Sequence, residues 1–291
     1  MTRPWRVRWR EWAVSSPSML WLLVFFAVPT VVIFAISFKP SNIYGGIGAG
    51  WTLDTLREIA QPSYPRIVAR TLVLSALNTV VCLLLALPVG YAIARAPAAR
   101  RQVLLWLVIV PFWTSFLARV FAWRVLLHPE GPLKHTLAAL HLVRPNATLL
   151  NNDGAVLLVM VYTSLPFAIL PIYAAAEKFD FRLVEAARDL GAKPLRAFWS
   201  IFLPGIRRGV LTAFLMVLIP SLGAYVIPDL VGGTHSEMIG TKIAQRVFND
   251  RNLPHASALS ALLALAVMVP LALVVLTRKR RQAAPAEEPG V

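Results

Sequence analysis

Charge is scarce in this chain, and negative charge scarcer still. Only 15% of the 291 residues are charged, and 14 acidic residues stand against 29 basic ones. A soluble domain carries about 25% charged residues, so a fully hydrated surface is excluded for most of the polypeptide. Cysteine is all but missing. Cys82 alone can form no internal disulfide and has no companions for a thiolate metal site, so it reads as a small buried hydrophobe inside an apolar run. His128, His135, His141, His235 and His255 fall outside the apolar cores at spacings that match no metal site, and no role is assigned to them. A Gly-x-x-x-x-Gly-Lys-Ser/Thr phosphate loop is also missing, which leaves the chain without a nucleotide cradle of its own.

What is present is apolar. Hydrophobic residues make up 57% of the chain and mean hydropathy is +0.65, which indicates an integral membrane protein. The net charge of +15 invites a nucleic-acid reading. The basic residues are scattered between greasy stretches, however, and no nucleic-acid partner is expected. Crossing about 30 Å of hydrocarbon takes roughly 20 helical residues. Six stretches qualify, at about 19–38, 71–94, 103–127, 155–176, 210–231 and 256–277. Their unbroken apolar runs suit helices and not barrel strands, which need strict alternation. The first run is too long for a signal peptide and no clear cleavage site follows, so it is expected to be retained.

Orientation follows from loop charge. With the N-terminus inside, the inner segments hold 18 of the 29 Lys and Arg, which places both termini in the cytoplasm. The expected fold is an all-α membrane protein of six transmembrane helices. A cytoplasmic arm over 1–18 leads into a permease domain over 19–277, and a cytoplasmic tail covers 278–291. Pro29, Pro88, Pro111, Pro166, Pro171, Pro220, Pro228 and Pro270 lie in or beside the spans. Kinks are tolerated in a membrane where neighbouring helices or waters satisfy the freed backbone groups.

The loop 177–209 between spans four and five is charged yet ordered in pattern. Phe181, Val184, Ala187 and Leu190 recur at helical spacing, and Gly191 follows as a helix-ending glycine should. Pro194 is placed to open a second short helix whose apolar side is Leu195, Phe198 and Trp199, closed by Leu203-Pro204-Gly205. Two short helices at a small-residue corner form a projection into the cytoplasm.

Within it, Glu185-Ala186-Ala187, three residues, Gly191, nine residues, Ile201, one residue and Leu203-Pro204 resemble the signature loop of membrane subunits of binding-protein-dependent ATP-binding-cassette importers. The resemblance implies a coupling helix seated in a cytoplasmic ATPase. It assigns docking to Glu185, Ala186, Ala187, Asp189, Gly191, Ala192, Pro194 and Phe198, with no catalytic residue. ATP and Mg would then sit on two partner ATPase subunits and no cofactor on this chain. A second, homologous permease subunit and a periplasmic or extracellular solute-binding protein complete the implied assembly, in a bacterial inner membrane.

The stretches 111–123, 162–175 and 219–233, with Met238-Ile239-Gly240 and Ser257-Ala258-Leu259-Ser260, are similar to the spermidine/putrescine-type permeases, and to the first of their two permease subunits. That resemblance implies a polyamine or related cargo. Such a cation wants carboxylates and aromatic faces. Asp229 is the one acid at membrane depth in these spans, and an intramembrane carboxylate is a functional candidate by default; capping the span or pairing with Arg119 are its other roles. Trp113, Tyr162 and Tyr225 are the aromatic candidates, against plain packing. Arg119 would suit an anion, so an anionic or iron-containing cargo is the alternative. A stand-alone secondary transporter would show charges along several spans and an inverted repeat, and neither is evident.

Overall fold

The computed structural model describes residues 5–42, 45–59, 63–144 and 147–283. The outermost parts of the expected arm and tail, 1–4 and 284–291, lie outside the described residues. Among those described, the protein is helical, with no strand beyond an isolated bridge between Ser41 and Ile47. In chain order the helices are α1 (Trp5–Leu22), α2 (Val28–Ile36), α3 (Asp54–Ile59), α4 (Ser63–Arg95), α5 (Ala98–Ile109), α6 (Phe116–Leu127), α7 (Pro132–Ala139), α8 (Asp153–Glu177), α9 (Arg182–Asp189), α10 (Pro194–Ala197), α11 (Leu203–Gly205), α12 (Arg207–Leu222), α13 (Val226–Val231), α14 (Ile239–Phe248) and α15 (Leu253–Ala283).

Three helical stretches among the described residues are long and apolar enough to cross a membrane: Val14–Ile36, Tyr64–Arg95 and Asp153–Glu177. The expected span 103–127 is not one helix. After Val110–Trp113 tightens into a 3₁₀ turn, Thr114 goes extended at ψ 151°, and the flanking stretches Ala98–Trp113 and Phe116–Ala139 diverge by 90°. Pro111 explains the break, since it supplies no N–H to the helix ladder. The expected span 210–231 is interrupted as well. Its helix starts earlier, at Arg207, after a 77° bend from Pro194–Gly205, and stops at Gly223; α13 is a separate helix. Counting each bent pair as one span gives up to five, and Leu253–Val269 in α15 is a shorter apolar helix.

The chain divides into two compact units, residues 65–241 and the described parts of 1–64 with 242–291. In the larger unit, α8 packs against α12 through small residues. Gly209 lies so close that an added Cβ would meet the Ala175 Cβ at 2.3 Å and the Pro171 carbonyl at 2.9 Å. Ala168, Ala176 and Ala213 are buried beside it. Small residues let membrane helices approach until backbone meets backbone, where dispersion and hydrogen bonding replace the hydrophobic drive. Asn152 caps α8 by accepting from the Ala155 N–H at 2.8 Å. Fully buried Asn78 of α4 donates to Ser221 Oγ of α12 at 2.7 Å and to Ser164 Oγ of α8 at 3.3 Å, tying three helices at one polar node.

In the smaller unit α15 receives α2 and α3. Buried His255 shares a 2.7 Å hydrogen bond with Tyr64 and lies 3.3 Å from Glu58, while Arg246 donates to the Tyr64 hydroxyl at 3.0 Å. The histidine left without a role is thus a structural hub.

Candidate functional site

The loop after α8 folds as helix, glycine corner, helix. The chain breaks at Lys178–Phe181 before α9 starts, so the apolar stripe does not run on from the span as one helix. At the other end Gly191 adopts φ +89°, the left-handed region. Its N–H donates to the Arg188 carbonyl at 2.9 Å and that of Ala192 to the Ala187 carbonyl at 3.0 Å, the pair of bonds that closes a helix at a left-handed glycine. Lys193 then extends, and Pro194 opens α10. The second helix runs through a π-helical turn over Phe198–Phe202 and ends at Leu203-Pro204-Gly205, with the bend into α12 at Ile206.

Glu185, Arg188, Asp189, Gly191, Ala192 and Pro194 line one open hollow of about 460 Å³. Ala186 is exposed next to it, and Leu190 beside the corner is 90% exposed. Ala187 and Phe198 turn the other way, into the core. There Tyr91 of α4 meets Phe181, Phe198 and Phe202 edge-on at 5.6, 5.4 and 4.9 Å, an arrangement aromatic quadrupoles favour. Arg95 adds to this anchor, with its guanidinium 5.7 Å from the Phe181 ring and 3.3 Å from Glu185. The loop is therefore packed onto the end of α4, with polar and apolar groups displayed at its corner.

A cavity of about 380 Å³ lies where both broken spans meet, between the α5–α6 break, α8 and the α12–α13 break. Phe112, Phe116, Phe167 and Tyr225 supply aromatic walls, and Thr163, Ser164 and Ser221 supply hydroxyls. Arg119 is the one charged side chain among its described lining residues. Its guanidinium lies 4.7 Å over the Phe112 ring, and its buried Nε finds no hydrogen-bond partner. Such a site offers stacking surface, hydroxyl oxygens and one unspent cationic donor.

Of the four path candidates only Tyr225 lines this cavity. Asp229 is exposed on α13 and forms no ion pair with Arg119. Trp113 is 74% exposed and stacks edge-on with Trp106, and Tyr162 meets Trp123 at 5.4 Å. Phe112, Thr163, Ser164 and Ser221 escaped sequence reasoning because small hydroxyls and phenylalanines in apolar spans carry no local signal. Pro111 and Pro220, two of the prolines in or beside the spans, stand next to the cavity. Among the described residues no cluster of His, Cys, Asp and Glu could hold a metal.

The profile of the family described as binding-protein-dependent transport system inner membrane component matches residues 86–282. The spermidine/putrescine transport system permease protein PotB of Haemophilus influenzae is 33% identical over 261 residues, covering 90% of this chain and 91% of its own length. The inner membrane ABC transporter permease protein YdcU of Escherichia coli is 29% identical over 238 residues, covering 77% and 73%. Among solved structures, a chain of a bacterial ABC transporter involved in import of the acidic polysaccharide alginate superposes with a TM-score of 0.71 at 19% identity, over 96% of this chain and 99% of that one. That last likeness carries the fold alone.

Proposed function

Because the chain belongs to the binding-protein-dependent transport system inner membrane component family, we propose that it is the membrane-spanning permease subunit of an ATP-driven importer, forming half of the path for a polyamine or a related small organic solute. The observation that carries the driven part is the loop corner at Gly191. Five of the eight residues that the resemblance assigns to docking, Glu185, Asp189, Gly191, Ala192 and Pro194, line a single hollow on an outward-facing turn, a geometry suited to docking. In this reading the loop is cytoplasmic, both termini are cytoplasmic, the membrane is crossed six times, and two ATPase subunits bind ATP and Mg. A homologous second permease closes the path, and a solute-binding protein delivers cargo from outside.

The polyamine assignment draws on the whole-length relatives named for spermidine/putrescine transport. The cavity aromatics support it through cation–π contact, with Tyr225 as the contact within this chain. Asp229, Trp113 and Tyr162 face out of the cavity and reach solute only once the second chain encloses the path. One observation favours a second reading: the one charge among the cavity's described lining residues, Arg119, is a cation, which suits an anionic solute.

The test is ATP hydrolysis by the assembled complex in lipid, with the cognate binding protein loaded in turn with putrescine, spermidine and small carboxylates. Stimulation by the polyamines supports the first reading and by carboxylates alone the second. Transport by this chain without an ATPase would overturn both.

A further inference from the structure

A second concave site shares no residue with the cavity. It lies between the start of α4 and the start of α8, a groove of about 490 Å³. Arg66 and Arg70, one helical turn apart, form its rim, and Val73, Leu74, Leu77 and Leu157 form its wall. Arg70 approaches Asp153 at 4.0 Å, a loose pair with both side chains part-exposed. Arg66 makes no ion pair among the described residues. Two guanidiniums against one carboxylate leave the rim with one positive charge in excess. The wall stays uncovered, with Val73 56% and Leu77 45% exposed.

The order along α4 decides the ligand class. The arginines stand immediately before the apolar run 71–94, and the bare aliphatic wall starts one turn deeper. A guanidinium presents forked donors that match a phosphate, and an aliphatic groove at membrane depth matches an acyl chain. Free phosphate would use the rim and have no use for the wall. A zwitterionic lipid would gain little from the excess charge. We infer that this groove is a site for an anionic phospholipid, its phosphate on Arg66 and Arg70 and one acyl chain along Val73 and Leu77. The inference rests on α4 being a membrane span and is independent of which solute is carried.

The test is native mass spectrometry of the purified permease with its partner subunits, offered palmitoyl-oleoyl phosphatidylglycerol, with the phosphatidylcholine of the same chains as control. The complex retains phosphatidylglycerol in preference, and the Arg66→Gln/Arg70→Gln double variant binds it on the order of 20-fold more weakly. Val73→Trp, which fills the wall at an exposed position, also weakens retention without changing charge. Equal retention by the parent and double variant overturns the site. Displacement by millimolar inorganic phosphate, with no effect of Val73→Trp, assigns the rim to small anions instead. Unchanged lipid retention with lost stimulation by the binding protein assigns the arginines to protein docking. None of these readings requires the cargo to be known.

Discussion

Arg95, in the last turn of α4, reaches Glu185 of α9 at 3.3 Å and donates to the Tyr91 hydroxyl at 3.0 Å. Ninety residues of sequence separate the pair, and the contact ties α9 to the end of α4. Both side chains are substantially exposed, so the ion pair contributes at most about 1 kcal/mol to stability. Its value is orientation. Glu185→Lys repels Arg95 and reverses the charge at the hollow, and its expected cost is about 2 kcal/mol of docking, roughly 30-fold in affinity for the ATPase. Pull-down of the ATPase and solute-stimulated hydrolysis measure it. Unchanged stimulation removes Glu185 from the docking surface.

Gly191 separates backbone from space. A Cβ there would meet nothing within 4 Å, yet φ is +89°. Gly191→Ala is therefore expected to cost about 1 kcal/mol through conformation alone, leaving the subunit in the membrane with reduced coupling. Gly191→Pro cannot adopt that φ and loses the bond to Arg188, so it abolishes stimulated hydrolysis. Expression level against ATPase rate distinguishes the two.

Gly209 makes the opposite case. Its φ is unremarkable, and the Ala175 Cβ and Pro171 carbonyl occupy the space a side chain would need. Gly209→Val is expected to cost about 3 kcal/mol by prising α8 from α12, seen as aggregation or a lowered melting temperature in detergent. Gly90 is a second close approach: an added Cβ would meet the Ile172 Cγ2 at 2.7 Å, a branch methyl on a fully buried side chain whose χ1 is stiff in a helix. Gly90→Ala is expected to cost about 1 kcal/mol, seen in the same melting measurement.

The Asn78 node can be weighed by a double-mutant cycle. Asn78→Val and Ser221→Ala should couple by about 0.6 kcal/mol, the usual scale for interhelical hydrogen bonds in membranes. Additive effects in a denaturation series would show that the node contributes nothing.

The cavity and the exposed acid make different predictions. Tyr225→Leu removes the one candidate that lines the cavity, and uptake is expected to fall about tenfold if one cation–π contact is lost. Asp229→Asn is expected to impair uptake by the complete complex while assembly stays intact, and normal uptake would remove Asp229 from the path. Uptake by Tyr225→Leu equal to the parent protein would take the cavity out of the path.

Much of this was legible in the residues. Apolar run length marks membrane helices because each residue advances a helix by a fixed rise against a bilayer of fixed thickness. Gly191 and Pro194 mark the loop corner because glycine is freely left-handed and proline lacks an N–H. Spacing was enough for the Glu185-to-Pro204 signature, since a local motif keeps its meaning wherever the rest of the chain goes. The breaks at Thr114 and Gly223 were not foreseen, although Pro111 and Pro220 stand beside them. Proline in a membrane helix kinks or breaks according to what its neighbours can satisfy, and that is a tertiary matter.

The sequence by itself determined the class of protein, its long spans and the charged loop between two of them, because hydropathy, helix rise and glycine or proline chemistry are properties of neighbouring residues. Tertiary structure alone decided that Tyr225 lines a cavity while Trp113, Tyr162 and Asp229 face away, that Arg119 sits over Phe112 without a counter-charge, and that Ala187 and Phe198 anchor the loop while Glu185 and Asp189 line its open hollow. Which face of a helix is covered depends on the crossing of helices far apart in the chain. An apolar stripe in a membrane does not say whether lipid, a partner or its own chain will cover it.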